Sequence, residues 1–538
     1  MFECSIERLM KMKKVILVLG LASLVLSASA KIEMGTPFSD GMVLQRGMKV
    51  PVWGKVVPDT EGLAKPGEGG PKVVLPGKRK VTVSFAGQSK TVESDMFSGR
   101  WRVEFDPMAA SAEGRTMTVA EKKPGLLFDS TVSSLEIKDV LVGEVWFASG
   151  QSNMECPIWG SDPRYRDGKG GLMTEMTSLP LVRYAKNERA WSVEPKALKS
   201  CWCKFEPEDL QTMKRVTTRL GGSNTGLSLS AVAFYYAREL YLALGVPIGI
   251  VDSSWGGTNI DAWTPRCGYE GCDKSIQATA DYKVKADWDA KTDKIGPISN
   301  NCQQPTVLFN GMVDSWAPMA MRGFIWYQGC HNAWEPQLYC AKMHALYNGW
   351  SRRFENPDLK LYFVQLAPYD WNWNRLVAAQ DKFVAEEPHA QLAVTADVGN
   401  FDDIHPNDKE TVAQRLVVHA LKRDYGRDIP EDCSPVFKSA AFGDGEVVLS
   451  FDHAESWYVY APNRSVEPPF EVRGTNGVWT AARLQNVDKS GKIKGKGLTL
   501  KAEGAGEISG VRYMGRAKTA GTLYNQASLP LGPFEALK

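Results

Sequence analysis

A serine on a sharp turn after an apolar strand can act as a nucleophile. The run Val145-Trp146-Phe147-Ala148-Ser149, passing into Gly150-Gln151-Ser152-Asn153-Met154, has that form. Such a turn raises the Ser152 hydroxyl and surrounds it with backbone N–H groups able to meet an oxyanion. The spacing is not Gly-x-Ser-x-Gly, so the ordinary α/β-hydrolase elbow does not fit. A serine hydroxyl also needs a base near neutral pH, and imidazole, with a pKa of about 6.5, is the usual one. The chain has six histidines, and His405 closely follows two carboxylates in Asp402-Asp403-Ile404-His405-Pro406. A carboxylate at the ring would fix the imidazole tautomer and stabilise the imidazolium as it forms. Asp402 and Asp403 are both near enough. The plainer alternative is a solvated acidic loop that caps a helix over Lys409–Ala420, with Asn407 or Asp408 as the cap.

The elements that must position these groups fall into three stretches. Residues 31–140 alternate short β-type runs, such as Lys80–Phe85 and Arg100–Phe105, with turn clusters, and predict a small β-sandwich or jelly-roll module. Within it the Gly-, Pro- and Lys-rich segment 58–77 reads as an exposed loop. Over 141–428 strands alternate with helices. Leu227–Leu244 is an expected helix, followed by the strand Ile248–Val251, and Gly323–Tyr327 and Leu361–Leu366 are further buried strands. Strands that end in polar, Gly-rich loops fit a mainly parallel sheet with its site at the carboxyl ends. Ser152, Gly257, Asn332 and His405 all lie at or after such ends. From 429 to 538 β-type runs return, including Val447–Phe451 and Ser509–Tyr513, and predict a second β-rich module.

The charge is nearly balanced, with 64 basic and 62 acidic side chains. This gives no indication of a nucleic-acid or anionic-membrane partner. Seventeen tryptophans and seventeen tyrosines are either core residues or faces for sugar rings. Lys11, Lys13 and Lys14 precede an apolar run from Val15 to Leu26 and then Ser27-Ala28-Ser29-Ala30, the form of a signal peptide. Cleavage is expected after Ala30, giving a secreted or periplasmic protein. Loss of Cys4 would leave nine cysteines, so at least one thiol is unpaired or intermolecular. Cys267 and Cys272 are close enough in sequence to bridge, whereas Cys201 and Cys203 are not expected to pair with each other. Paired Cys-x-x-Cys spacing is lacking, and no metal or organic cofactor is expected.

Several motifs together resemble the sialate O-acetylesterase-type carbohydrate esterases of the SGNH hydrolase group. They are Phe38–Arg46 with Val52-Trp53-Gly54, Val142–Trp146 with Gly150–Met154, Ser254-Trp255-Gly256-Gly257-Thr258, Trp326-Tyr327-Gln328-Gly329, Asp403-Ile404-His405-Pro406 and Leu523-Tyr524-Asn525. The resemblance implies a three-layer α/β/α catalytic domain with flanking β-modules. It also implies Ser152 as nucleophile, His405 as base, and oxyanion donors from Gly256, Gly257 and Asn332. Gln151, Gln328 and Trp255 are expected to touch substrate.

Two points depart from the pattern. The family usually reads Trp-Tyr-Gln-Gly-Glu-Ser-Asn, and this chain has Cys330 and His331 in place of Glu-Ser. For the supporting acid, the wider group selects Asp402 and the nearer family Asp403. Asp402 is preferred, because a carboxylate three residues back can fold under the ring. The expected substrate is an O-acetylated glycan or sialic acid, with acetylated xylan or another plant polysaccharide as the alternative. A binding protein on a degenerate esterase fold is the alternative of another class.

Overall fold

The run from Val140 to Gly150 is buried at every position. Only a strand covered on both faces can hold such a sequence, and this one lies at the centre of a parallel sheet. The computed structural model describes residues 30–58, 77–123, 130–158, 175–198, 201–206, 229–284 and 300–538, without 461–468, 486, 489 and 494. The expected leader, nearly all of the 58–77 loop and the first residues of the Leu227 helix lie outside the described residues.

The chain forms two compact units. One comprises Met1–Phe38, Pro51–Phe105 and Arg115–Lys138, and the other Ser39–Val50, Asp106–Gly114 and Asp139–Lys538. In the first, Ala30–Met34, Val50–Pro58 and Arg100–Phe105 form a three-stranded sheet. Lys80–Phe85 pairs antiparallel with both Gln88–Glu93 and Ser111–Lys123. The strict alternation of buried residues in Lys80–Phe85 and Arg100–Phe105 marks sheets with one wet face.

In the second unit the strands used below are β1 (Val43–Gln45), β2 (Ser130–Gly150, through its carboxyl half), β3 (Val182–Lys186), β4 (Cys203–Lys204), β5 (Ile248–Ser254), β6 (Gly323–Tyr327), β7 (Lys360–Val364) and β8 (Ala390–Ala393). The sheet order is β4-β3-β5-β2-β6-β7-β8. All these pairings are parallel except β4 with β3. The chain lays β3, β4 and then β5 on one side of β2, with β5 next to it, and crosses to the other side for β6, β7 and β8. The carboxyl end of β2 is therefore a topological switch point, where open α/β sheets place their sites. The helices used below are α1 (Ser152–Glu155), α2 (Ala231–Leu244), α3 (Pro336–Arg353), α4 (Asn374–Glu386) and α5 (Lys409–Arg423).

Adjacent residues of β2 point to opposite faces. Trp146 meets Tyr236 and Tyr362, whereas Phe147 meets Trp316, Trp350 and Phe354. Trp146, Trp263, Trp316, Trp326, Trp350 and Trp457 are fully buried, so these tryptophans are core. At the other end of β2, Glu144 is wholly buried and held by Gln45, Arg46, Arg322 and Tyr425. Burial would raise its carboxyl, but the bonds from Arg322, Arg46 and Gln45 outweigh that and keep it below the ordinary value.

Two expected boundaries differ from the structure. Residues 39–50 and 106–114 belong to the second unit. The reason is that β1 pairs in parallel with Leu141–Gly143, and the Gly47 N–H donates to the Met108 carbonyl. The β-rich region after 429 is not a separate compact unit. It does contain an antiparallel seven-stranded sheet and a three-stranded one. However, the Tyr524 hydroxyl donates to Asp397 (3.0 Å) and the Gly521 N–H to the Ala396 carbonyl (2.7 Å), both just beyond β8. Asp432 secures the same junction. It is buried and bonds to His419 Nδ1 (3.2 Å) and Arg423 Nε (2.5 Å) of α5.

Burial would raise the Asp432 carboxyl, but hydrogen bonds from His419 and Arg423 prevail and hold it well below the usual carboxylate range. A depressed folded pKa contributes stability above the unfolded value of about 3.9, and that contribution disappears as pH falls through the folded value. Asp432→Asn is expected to cost about 2–3 kcal/mol at neutral pH. Denaturant midpoints would check this, and the gap to wild type should close below about pH 4.

Candidate functional site

Leaving β2, the backbone turns across the ends of both neighbouring strands. The Gln151 N–H donates to the Tyr327 carbonyl of β6 (3.0 Å), and the Trp255 N–H, just after β5, donates to the Gly150 carbonyl (3.1 Å). Gly150 makes this possible. Its φ is +139°, and a Cβ there would lie 2.3 Å from the Tyr327 oxygen. Ser152 then opens α1. Among the described residues the Ser152 N–H has no hydrogen-bond acceptor.

His405, on the long connection between β8 and α5, brings Nε2 to 2.9 Å from Ser152 Oγ. Asp403 Oδ1 lies 3.5 Å from the opposite ring nitrogen and also accepts the His405 backbone N–H at 2.8 Å. Asp402, the residue preferred from sequence, is not beside the ring. It lines a separate cleft with Asp397, Asn400, Pro406 and Asp408. An aspartate two residues before an amide closes a tight Asx turn, and that turn carries the Asp403 carboxylate to Nδ1.

The surrounding residues divide between exposed contacts and internal ties. The Gly256 N–H donates to Glu155 Oε2 at 2.7 Å, so it is not free to meet an oxyanion as expected. Gly256 nevertheless lies against Ser152, since a Cβ on it would be 3.1 Å from Ser152 Cβ. The Gly257 N–H has no acceptor among the described residues, and its φ of +73° is the left-handed conformation that glycine tolerates. Asn332 is buried, and its oxygen accepts from the Ile260 N–H and Gln328. Its amide nitrogen gives one hydrogen to Glu335 and keeps the other.

Gln151 and Gln328, expected to touch substrate, are instead internal ties. The Gln151 side-chain oxygen Oε1 accepts the N–H groups of Gly329 and His331. Gln328 is wholly buried and bonded to Thr258, Asn332 and Tyr339. Trp255 is half-buried beneath the Arg189 guanidinium, and Arg189 also pairs with Glu155.

Sequence reasoning passed over Lys409 and Asn153. Lys409 Nζ donates to Asn153 Oδ1 (2.6 Å), and Asn153 Nδ2 donates to the Ile404 carbonyl (3.0 Å). The residues following the serine and preceding the histidine are thereby joined. Lys409 is 1 % exposed and lies 5.5 Å from the centroid of the Tyr327 ring. Burial lowers its ammonium to about 8. The available signal was a lysine in the first helical position, where the helix dipole disfavours positive charge. His405 is lowered from the ordinary imidazole value, first by burial and then by the Lys409 charge, with Asp403 opposing both. Burial pushes the thiol of Cys330, which replaces the family's glutamate, up to about 12.

None of the nine described cysteines forms a disulfide. The expected Cys267–Cys272 bridge does not form. Cys267 Sγ approaches the Gly349 carbonyl and Cys272 Sγ the Gln277 side chain, each at 3.8 Å. Cys340 with His344 and Glu386, and Glu431 with Cys433 and His453, each bring three possible metal donors within 4.8 Å of one another. Neither group includes a residue of the Ser152 site.

Residues 142–422 match the family described as carbohydrate esterase, sialic acid-specific acetylesterase. The chain is 28% identical over 376 residues to the sialate O-acetylesterase of Rattus norvegicus, covering 61% of this chain and 64% of that one. It is also 28% identical over 357 residues to that of Homo sapiens, covering 61% of each. The chain thus spans under two thirds of the length of these curated relatives. A carbohydrate acetylesterase from Xanthomonas citri superposes with a TM-score of 0.70 at 27% identity, over 94% of this chain and 99% of that one.

The His405 and Lys409 arrangement has a pH signature. A lowered imidazole pKa keeps the base neutral to lower pH, so labelling of Ser152 by a fluorophosphonate should rise with pH through an inflection below about 6.5. Lys409→Met removes one of the two depressing influences. The inflection should then move upward, and labelling at pH 6 should slow relative to pH 8.

Proposed function

The chain belongs to the carbohydrate esterase family of sialic acid-specific acetylesterases, and from that membership and its site we propose that it is a serine carboxylic ester hydrolase removing O-acetyl groups from glycans. The observation that carries this reading is the 2.9 Å contact between Ser152 Oγ and His405 Nε2, made across 253 residues of chain. His405 takes the hydroxyl proton as Ser152 attacks the acetyl carbonyl, and Asp403 steadies the imidazolium. The oxyanion is met by the free N–H groups of Ser152 and Gly257 and by the remaining amide hydrogen of Asn332. Each such donor is worth about 2.7–4 kcal/mol of barrier. His405 returns the proton to the departing sugar oxygen. A water activated by the same imidazole then hydrolyses the acetyl-enzyme and releases acetate.

O-acetylated sialic acid is the substrate named by the family. Arg189, held between Glu155 and the Trp255 ring, is a suitable partner for a sialate carboxylate. The parallel sheet, with Ser152 after its central strand, supports the SGNH-type reading of the catalytic region. The basic and apolar leader with Ala30 at its end supports export.

Ser152→Ala should abolish hydrolysis of 4-nitrophenyl acetate and of O-acetylated sialic acid while leaving the fold intact by circular dichroism. Retention of both activities in the variant would sink Ser152 as nucleophile, and absence of both from the wild type would favour a binding protein. Asp403→Asn should lower kcat by at least about tenfold, and Asp402→Asn should leave it near wild type. Asn332→Ala is expected to lower kcat by about 10²–10³ with little change in KM.

A further inference from the structure

Most of the chain's large aromatic rings are buried, but two tryptophans at the carboxyl end of the parallel sheet are not. Trp334 is 75 % exposed and Trp371 46 % exposed. Their rings meet edge to face, with centroids 4.9 Å apart and planes at 72°. An exposed aromatic pair of this size is uncommon without a ligand to cover it. We propose that Trp334 and Trp371 form a stacking platform for a pyranose ring of the glycan chain adjoining the acetylated residue. This rests on the glycan-esterase reading and deepens it: the substrate is an oligosaccharide or polysaccharide rather than a free acetylated sugar.

Placement supports this. Trp334 lies on the turn after β6, and Trp371 on the loop after β7, the next strand in the sheet. The turn after β6 is held to the nucleophile's neighbour, because Gln151 accepts the N–H groups of Gly329 (3.1 Å) and His331 (3.4 Å). Trp334 follows His331 by three residues, so its Cα lies within about 11 Å of the His331 Cα. The platform thus stands on the same set of carboxyl-end loops as Ser152, one strand and two strands along the sheet from β2.

Rigidity supports it as well. Trp373 lies 6.4 Å from Trp371 and stacks on Tyr369 at 17°. The loop is fastened at three points, by Asn372 to the Gly515 carbonyl, Asn374 to the Met514 carbonyl and the Lys518 N–H to the Tyr369 carbonyl. Glu335, next to Trp334, is tied to Asn332 and Lys342. Rings already held in place lose little conformational freedom on binding.

The chemistry of the patch also fits a sugar. A pyranose presents a face of C–H groups, which covers an aromatic ring, and a rim of hydroxyls that stays hydrated or bonded. At this rim Asp370 and Lys518 are paired with each other at 3.1 Å, so the patch presents apolar ring faces with little net charge.

The test uses the full chain with Trp334→Ala, Trp371→Ala and the corresponding Phe variants. Wild-type kcat/KM should rise from acetylated xylose to acetylated xylo-oligosaccharides. Each Ala variant should lose roughly three- to tenfold on the oligosaccharides through KM, keep its rate on 4-nitrophenyl acetate, and be largely rescued by Phe. Binding of unacetylated xylohexaose and of sialyllactose to the Ser152→Ala protein, followed by tryptophan fluorescence, tests the platform independently of catalysis. Failure of 4-nitrophenyl acetate hydrolysis would therefore overturn only the esterase reading. The platform is overturned if neither oligosaccharide binds in a Trp334- or Trp371-dependent way. It is equally overturned if the Ala variants lose the same factor on every substrate, or if they alter the molecular mass in solution, which would assign the patch to a second copy.

Discussion

Asn153 is the pivot of the site. Its side chain receives Lys409 Nζ on one side and donates to the Ile404 carbonyl on the other. The Ser152 turn, the His405 loop and the start of α5 therefore share one amide. That tie adds to the direct 2.9 Å hydrogen bond between Ser152 and His405, which is worth little net free energy in a partly wet site. Burying the lysine is costly, as its lowered proton affinity indicates, and the cost is placed where it joins the segments that carry Ser152 and His405.

Around that pivot, polar atoms that a sequence reader would assign to substrate are used to assemble the loops. Gln151 binds the backbone of the turn after β6, Gln328 joins Thr258 to Asn332 and Tyr339, and Glu155 holds the Gly256 N–H. Buried amides and carboxylates must be satisfied, and the loops at a switch point offer few backbone partners. The side chains supply them. The groups left open, the N–H groups of Ser152 and Gly257 and half of the Asn332 amide, are correspondingly few and directed.

The β-rich region after residue 429, part of the same compact unit, backs the carboxyl-end loops of the parallel sheet. It contributes Tyr524 to Asp397 and backbone contacts to the Tyr369 loop, so the carboxyl-end loops rest on it. Tryptophan is divided between the interior, where Trp146, Trp263, Trp316, Trp326, Trp350 and Trp457 are fully buried, and the loops, which present Trp334 and Trp371.

Much of this was legible in the sequence, for definite reasons. A continuous apolar run implies a strand covered on both faces, and a Gly-Gln-Ser-Asn sequence directly after it implies a turn that exposes a serine. Aspartates before a histidine imply an imidazole with a carboxylate at hand. Alternation in Lys80–Phe85 and the Asp408 cap of α5 are likewise local, since they depend on neighbours within a turn or a pleat. The choice of Asp403 over Asp402, the commitment of the Gly256 N–H to Glu155, and the internal roles of Gln151 and Gln328 were decided by tertiary structure. So were the unbridged thiols of Cys267 and Cys272 and the burial of Lys409 beneath Asn153. Each depends on which group from a distant segment arrives within about 3 Å, and residue type and spacing carry no record of that distance.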